Sequence, residues 1–282
     1  MEISVAEPHG MCTGVARALR IADEILTAHR GETLWCFHEI VHNEHVVTAL
    51  RNRGVKFVQD LALIPYGART LFSAHGVSPA IRAEAFARHL EIVDATCPFV
   101  AKVHEEAKTF AAQKIPIVLI GHKGHDEITG IVGEATPYIT VIETLADIQL
   151  LEPTHATLAV LSQTTISSEM YEMCIAELKR RGFNIVIPKH HDICYATQER
   201  QDAVRALTRH VDHMIVIGSR TSSNSKRLAE VAQSAGCPTD LIASPEELSS
   251  LDLSNVRHLG LTSGASTPEA LLDTVRTLLS KR

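Results

Sequence analysis

The sequence predicts an α/β fold, three small parallel-sheet domains in pseudo-threefold arrangement. Three observations predict it. Strand-sized apolar runs alternate with helix-period segments along all 282 residues, the pattern that gives parallel sheets. Nearly every strand run ends in a polar stretch rich in His, Ser, Thr or Gly. The order of these ends recurs three times, with a cysteine at the same place in each cycle.

In the first pass, residues 1–6 alternate as a short strand and run into EPHGMCTGV, where Gly10 and Gly14 flank Cys12. Apolar residues at Val15, Ala18, Leu19, Ala22, Ile25 and Leu26 predict a helix over 15–28, stopped at Gly31. A strand over 33–37 ends in HEIVHN, and a helix over 44–53 stops at Gly54. Strands at 55–58 and 69–72 follow, the second ending in SAHGVS. A helix over 79–89 leads into a strand at 91–93 and the segment DATCP around Cys97.

The second pass repeats this. A helix over 100–112 is followed by a strand at 116–120 and GHKGHDEITG. The segment near Gly130 and Gly133 holds a helical turn or two before a strand at 138–142. A strand over 156–161 ends in SQTTIS, and a helix over 168–181 leads to a strand at 183–187 and HHDICYAT with Cys194. In the third pass a helix spans 197–210, a strand at 213–217 ends in GSRTSSNS, and a helix spans 226–235. Strands at 239–242 and 257–261 follow; the latter ends in TSGAST, and a helix over 268–280 closes the pass. This pass lacks its last strand and cysteine loop. The spare ones stand at the N-terminus, so the repeat closes on itself, with domains expected at 13–96, at 97–193, and at 194–282 plus 1–12.

The spacings support the repeat. The cysteines are 85 and 97 residues apart, and the next polar strand end lies 30, 28 and 30 residues on, at His42, His125 and Asn224. Insertions fall in loops, where they cost least. Ligands of parallel sheets gather beyond the carboxyl ends of the strands, which is where every segment quoted above lies.

Composition narrows the function. Lys plus Arg is 27 against 33 Asp plus Glu, a net charge of −6, which argues against a nucleic-acid footprint spread over the surface. No apolar run approaches the ~20 residues of a membrane span, and the N-terminus has no basic-then-apolar leader. The expected partners therefore include no nucleic acid and no membrane, and the expected location is cytoplasmic. Six cysteines at wide spacing then read as thiols or metal ligands rather than disulfides.

Cys12, Cys97 and Cys194 each stand where a strand gives way to a helix. Backbone N–H groups and the positive end of a helix dipole push a thiol there toward thiolate. Three thiolates make a soft-ligand metal site. Zinc with a fourth ligand fits such a set; so does an iron–sulfur cluster, which normally takes four cysteines and with three would keep one iron open. Cys36 lies inside a strand, Cys174 in a helix and Cys237 past a helix end, and these read as packing residues.

The polar ends offer His42, Asn43, His75, Ser78, His122, His125, Thr164, Thr165, Ser222, Ser223, Asn224, Ser266 and Thr267. Imidazole and hydroxyl donors beside helix starts suit a phosphate or diphosphate; the same Ser, Thr and Asn residues also read as N-caps. Glu127 is the carboxylate of GHKGHDE. It reads either as a buried proton carrier or as a solvated acid in a helix's first turn beside Asp126.

The set GMCTGV, EIVHN, SAHGVS, DATCP, GHKGHDE, SQTT, DICYAT, GSRTSSNS and SGAST resembles the 4-hydroxy-3-methylbut-2-enyl diphosphate reductases, from Met1 to about Leu279. The resemblance implies three α/β domains around a central iron–sulfur cluster. It implies one 4Fe–4S cluster per chain on Cys12, Cys97 and Cys194. The substrate diphosphate would lie among His42, His75, Ser222, Ser223, Asn224 and Ser266, with His125 lining the pocket. Thr164 would hold the hydroxyl end and Glu127 would supply protons. The reaction it implies removes an allylic hydroxyl with two electrons and two protons, giving isopentenyl and dimethylallyl diphosphate. Ferredoxin or flavodoxin would be the electron donor. Two positions depart from the family: Asp126 stands where Pro is usual, and Thr13 where Ala is common. Competing readings are a three-cysteine cluster enzyme of quinolinate-synthase type, whose strand-end motifs are absent here, a non-catalytic cluster sensor, and a zinc hydrolase. A sensor needs no diphosphate cradle and no carboxylate beside an open iron.

Overall fold

The computed structural model describes residues 1–153, 157–189 and 191–281. Ala156, where one strand was expected to begin, and His190 of HHDICYAT lie outside the described residues. In chain order the elements are β1 (Glu2–Val5), α1 (Thr13–Ala28), β2 (Leu34–Phe37), α2 (Glu44–Asn52), β3 (Val55–Val58), β4 (Arg69–Phe72), α3 (Pro79–Ala87) and β5 (Glu91–Asp94). Next come α4 (Pro98–Ala112), β6 (Ile117–Ile120), α5 (Asp126–Ala135), β7 (Ile139–Ile142), α6 (Leu145–Gln149), β8 (Thr157–Ser162), α7 (Ser168–Arg180) and β9 (Asn184–Val186). The chain ends with α8 (Tyr195–Leu207), β10 (His213–Ile217), α9 (Ser223–Ser234), β11 (Thr239–Ile242), β12 (His258–Ser263) and α10 (Glu269–Leu279).

The strands form three four-stranded parallel sheets, ordered β3-β2-β4-β5, β7-β6-β8-β9 and β11-β10-β12-β1. Each runs second, first, third, fourth strand of its pass. The N-terminal strand supplies the fourth place of the last sheet, pairing Glu2 with His258 through Val5 with Leu261. The strand order in each sheet reverses between its first and third strands, which is where ligands of open α/β sheets bind.

By backbone packing the chain divides into two compact units, one of residues 1–16, 41–50 and 195–282, the other of 17–40 and 51–194. In the second unit β6 is buried along its whole length, as expected of a central strand with both faces covered. Its side chains alternate between two cores. Val118 and Ile120 join Val160, Ile148 and the α7 residues Tyr171, Cys174, Ile175 and Leu178. Ile117 and Leu119 join Ala159, Leu161, Val103 and Ala107 of α4, and Ile128 and Ile131 of α5. The first unit repeats the plan. Met214 and Val216 face α8 and α9, while Ile215 and Ile217 face Leu272, Val275 and Leu279 of α10. The period of two along each strand thus decides which helices it carries.

One element is larger than its sequence suggests. The one or two turns expected around Gly130 and Gly133 are a ten-residue helix, α5, starting at Asp126. Its glycines are packing positions: a Cβ on Gly130 would lie 3.0 Å from the buried His104 ring, and one on Gly133 would overlap Ser78. The helix gives up propensity at two positions and packs closely on α3 and α4 in return. Several other helices begin two or three residues earlier than expected, among them α4 at Pro98 and α9 at Ser223. Proline suits the first helical position, and a serine cap does the same for α9. The short helix α6 was not anticipated; Thr144 and Asp147 close its start as a capping box.

Candidate active site

In the second unit, β6 ends at Ile120 and the chain turns through HKGH into α5. His125 is the N-cap of that helix, its Nδ1 accepting the Glu127 N–H at 3.1 Å. This fixes Glu127 in the first turn, but it is not a solvated acid there: the residue is 2% exposed. The turn after β8 supplies its partner. The Thr164 N–H donates to Glu127 Oε1 at 2.7 Å and the Thr164 hydroxyl to Oε2 at 3.1 Å. Burial penalises the carboxylate and raises its pKa to about 7, the two bonds from Thr164 oppose this, and the charge of Asp192 adds to it. Glu127 is therefore a group that exchanges a proton near neutrality.

Around this pair the chain brings several of the expected residues together. The Cys194 N–H donates to the Thr164 carbonyl at 3.1 Å, and the Cys97 N–H donates to the Ala74 carbonyl at 2.9 Å, next to His75. The rings of His75 and His125 meet edge to face with centroids 5.5 Å apart. Cys97 is the N-cap residue of α4 and makes no side-chain cap bond, and Cys194 immediately precedes α8.

The first unit holds the other expected residues. The Cys12 N–H donates to the Ala265 carbonyl at 3.0 Å, and Cys12 Sγ accepts the Val15 N–H at 3.4 Å at the start of α1. The Ser266 hydroxyl donates to the His42 carbonyl at 3.1 Å. Ser222 caps α9 by accepting the Ser225 N–H, a bond that uses a lone pair of its hydroxyl and not its proton. Asn224 is different. It is 4% exposed, and neither its amide nitrogen nor its amide oxygen has a hydrogen-bond partner among the described residues. The buried hydroxyls of Ser225, Thr262 and Ser263 are likewise without partners. Buried polar groups left this way cost about 1–3 kcal/mol each, and such a cost is met when a polar ligand satisfies them.

The cysteines separate into two sets. Cys36, Cys174 and Cys237 are buried in packed surroundings. Burial holds the Cys36 thiol far above its ordinary pKa and raises those of Cys174, to about 11, and Cys237. Cys12, Cys97 and Cys194 are partly exposed, and each stands at a helix start. By their chemistry, three such thiols are the donor set that a three-cysteine metal cluster would need.

Some contributors gave no clear signal in the sequence. Asp192, two residues before Cys194, is 3% exposed and accepts from the Ser162 N–H at 2.9 Å and from Lys102 Nζ at 2.8 Å. Glu106 beside it is raised to about 7 by burial and then by Asp192. Arg200 is 5% exposed and donates to the Gly10, His9 and Ala196 carbonyls, bracing the loop that leads to Cys12. An acid beside a cysteine and an arginine one turn into a helix were the only clues.

Three four-stranded parallel sheets with polar strand ends and a buried, proton-holding carboxyl are the frame of an α/β oxidoreductase. The LytB protein family matches residues 3–280, and the chain belongs to that family. It is 42% identical over 276 residues to the 4-hydroxy-3-methylbut-2-enyl diphosphate reductase of Burkholderia pseudomallei, covering 98% of this chain and 88% of that one. It is 44% identical over 281 residues to the reductase of the same name from Nocardia farcinica, covering 99% and 83%. The solved structure of the E-1-hydroxy-2-methyl-but-2-enyl-4-diphosphate reductase from Plasmodium falciparum superposes with a TM-score of 0.96 at 35% identity, covering 99% of this chain and 88% of that one. A second solved reductase, described as the terminal enzyme of the non-mevalonate pathway, gives 0.69 at 30% identity, covering 100% and 99%.

Proposed function

We propose that this chain reduces 4-hydroxy-3-methylbut-2-enyl diphosphate to isopentenyl and dimethylallyl diphosphate. The allylic C–O bond breaks, two electrons and two protons enter, and one water leaves. One 4Fe–4S cluster per chain sits on Cys12, Cys97 and Cys194. When bound, the cluster supplies the electrons and, at an iron without a cysteine ligand, a Lewis-acid position for the hydroxyl. The electrons come to it from a small carrier such as ferredoxin or flavodoxin. The division into domains at 13–96, 97–193, and 194–282 plus 1–12 belongs to the same reading and is supported by the equal strand order of the three sheets.

The observation that carries the proposal is the buried carboxyl of Glu127, poised near neutrality with both oxygens on Thr164. Protonated at Oε2, it donates to the Thr164 hydroxyl, which can pass its own proton to a substrate hydroxyl; the Thr164 N–H stays on Oε1 and keeps the carboxyl oriented. A proton delivered this way lets the substrate oxygen leave as water rather than hydroxide. His42, His75, Ser222, Ser223, Asn224 and Ser266 bind the diphosphate, with His125 lining the site; the unsatisfied amide of Asn224 supports this. Anchoring the diphosphate makes remote binding energy fix the reacting end. No helix among the described residues is long and apolar enough to cross a membrane.

The test is turnover of the hydroxylated diphosphate by anaerobically purified, cluster-loaded protein with dithionite and a viologen. Formation of both five-carbon diphosphates is expected; a full cluster without turnover would refute the proposal.

A further inference from the structure

Asp126 occupies the first position of α5, where an acid is unremarkable, but its carboxylate is turned to two histidines. Oδ1 lies 2.6 Å from His38 Nδ1, and Oδ2 lies 3.8 Å from His75 Nδ1. All three residues are largely buried: the side chains of His38 and Asp126 are 22% exposed and that of His75 is 13% exposed. The backbone of His38 is in the left-handed region, with φ 61°. A non-glycine residue holds that conformation, at roughly 1–3 kcal/mol, only where its surroundings determine it. Here the His38 N–H donates to the Val58 carbonyl at 2.8 Å, its ring lies against Phe37 at 4.2 Å, and its Nδ1 meets Asp126.

We propose that Asp126 is a positioning residue for the diphosphate site, and that it acts through His75 with His38 as its second anchor. This rests on the assignment of His75 to the diphosphate. At 3.8 Å the Asp126 carboxylate does not hydrogen-bond His75 Nδ1; Ser73 Oγ lies 3.4 Å from the same nitrogen. The carboxylate therefore acts on the ring through its charge, which favours the protonated form. A neutral imidazole has one N–H and one lone pair, and the lone pair does not bind an anion. To donate to phosphate oxygen, His75 takes a second proton from solvent, and the adjacent carboxylate stabilises the imidazolium that results. His38 fixes the other carboxylate oxygen, so the carboxylate does not swing toward the anion it would repel.

The experiment uses cluster-loaded enzyme and measures KM, kcat and competitive inhibition by inorganic pyrophosphate. Asp126→Asn is expected to raise KM and the pyrophosphate inhibition constant about tenfold while leaving kcat within about twofold, with melting temperature and visible absorbance unchanged. Asp126→Pro, which suits a first helical position, is expected to behave alike and serves if the Asn variant folds poorly. The double variant with His75→Asn is expected to bind no worse than His75→Asn alone. Unchanged or tighter pyrophosphate binding in both Asp126 variants, or additive losses in the double variant, overturns the proposal. If His75→Asn itself leaves pyrophosphate binding intact, the assignment of His75 fails instead, and the role of Asp126 falls with it.

Discussion

One residue, Thr164, holds both oxygens of the Glu127 carboxylate, Oε1 through its N–H at 2.7 Å and Oε2 through its hydroxyl at 3.1 Å. Burial favours the neutral acid and Thr164 favours the anion, and the balance lies near pH 7. A group so placed can both give up and recover a proton in each turnover. Glu127→Gln keeps the shape and the bond from the Thr164 N–H but has no transferable proton. It is expected to keep the cluster absorbance and the substrate KM while kcat falls about 100-fold or more, within the usual range for a lost general acid. Rates near wild type would show that the proton comes from elsewhere.

The same pKa has a consequence for stability. The ordinary glutamate value of 4.5 applies to the unfolded chain, and the folded value is about 7. Between them the folded state binds more protons than the unfolded one, so this group's contribution is present below about pH 4.5 and is lost as pH rises through about 7. Glu127→Gln removes the titration. Denaturant unfolding at pH 5 and pH 8 is therefore expected to show the variant gaining on the wild type at the higher pH. An equal difference at both values would mean that Glu127 does not titrate in this window.

The two sets of cysteines predict opposite outcomes for one substitution. Cys97→Ala is expected to abolish the visible absorbance and lower the iron content of anaerobically purified protein. Cys174→Ala, in the packed face of α7, is expected to retain both and to lower the melting temperature through a small cavity. Loss of iron in the Cys174 variant would remove the distinction between ligand and packing thiols.

Arg200 bears on the same cysteine set without touching a sulfur. It is buried with no carboxylate against it in the described contacts, and its charge is met by the His9, Gly10 and Ala196 carbonyls. Arg200→Met leaves those acceptors unsatisfied, at about 1–3 kcal/mol for each that water cannot reach, and loosens the loop into Cys12. Faster release of iron to a chelator is expected, with Cys97→Ser as the positive control. A release rate equal to wild type would show that Cys12 is held without it.

Much of this was legible in the sequence because strand period and polar strand ends are local signals. The apolar stretch at 116–120 reads as a strand, and β1 was placed in the last sheet by counting ends. What escaped was set by distant partners. Whether Glu127 was solvated depended on Thr164, 37 residues away, and Asp126 was a helix-start acid until His38, 88 residues away, came against it. The extent of α5 was hidden for the same reason. Glycine lowers helix propensity, and nothing in GIVG reveals that α3 and α4 need the space.

That space makes the last prediction. In an open helix Gly→Ala gains up to about 1 kcal/mol. At Gly133 the new methyl group meets Ser78, the N-cap of α3, and the following Pro79 at 3.5 Å. The Ser78 Cα lies 3.3 Å away and its Cβ closer still, and these atoms cannot swing aside as the end of a long side chain would. Overpacking of this kind costs about 1–3 kcal/mol, so the clash outweighs the propensity gain. Gly133→Ala is expected to lower Tm by a few degrees, at about 2–4 °C per kcal/mol for a chain of this size. Because α5 carries Glu127 at its start, the shift is also expected to reduce kcat. A higher Tm in this variant would mean that α5 packs less closely on α3 than the overlap with Ser78 implies.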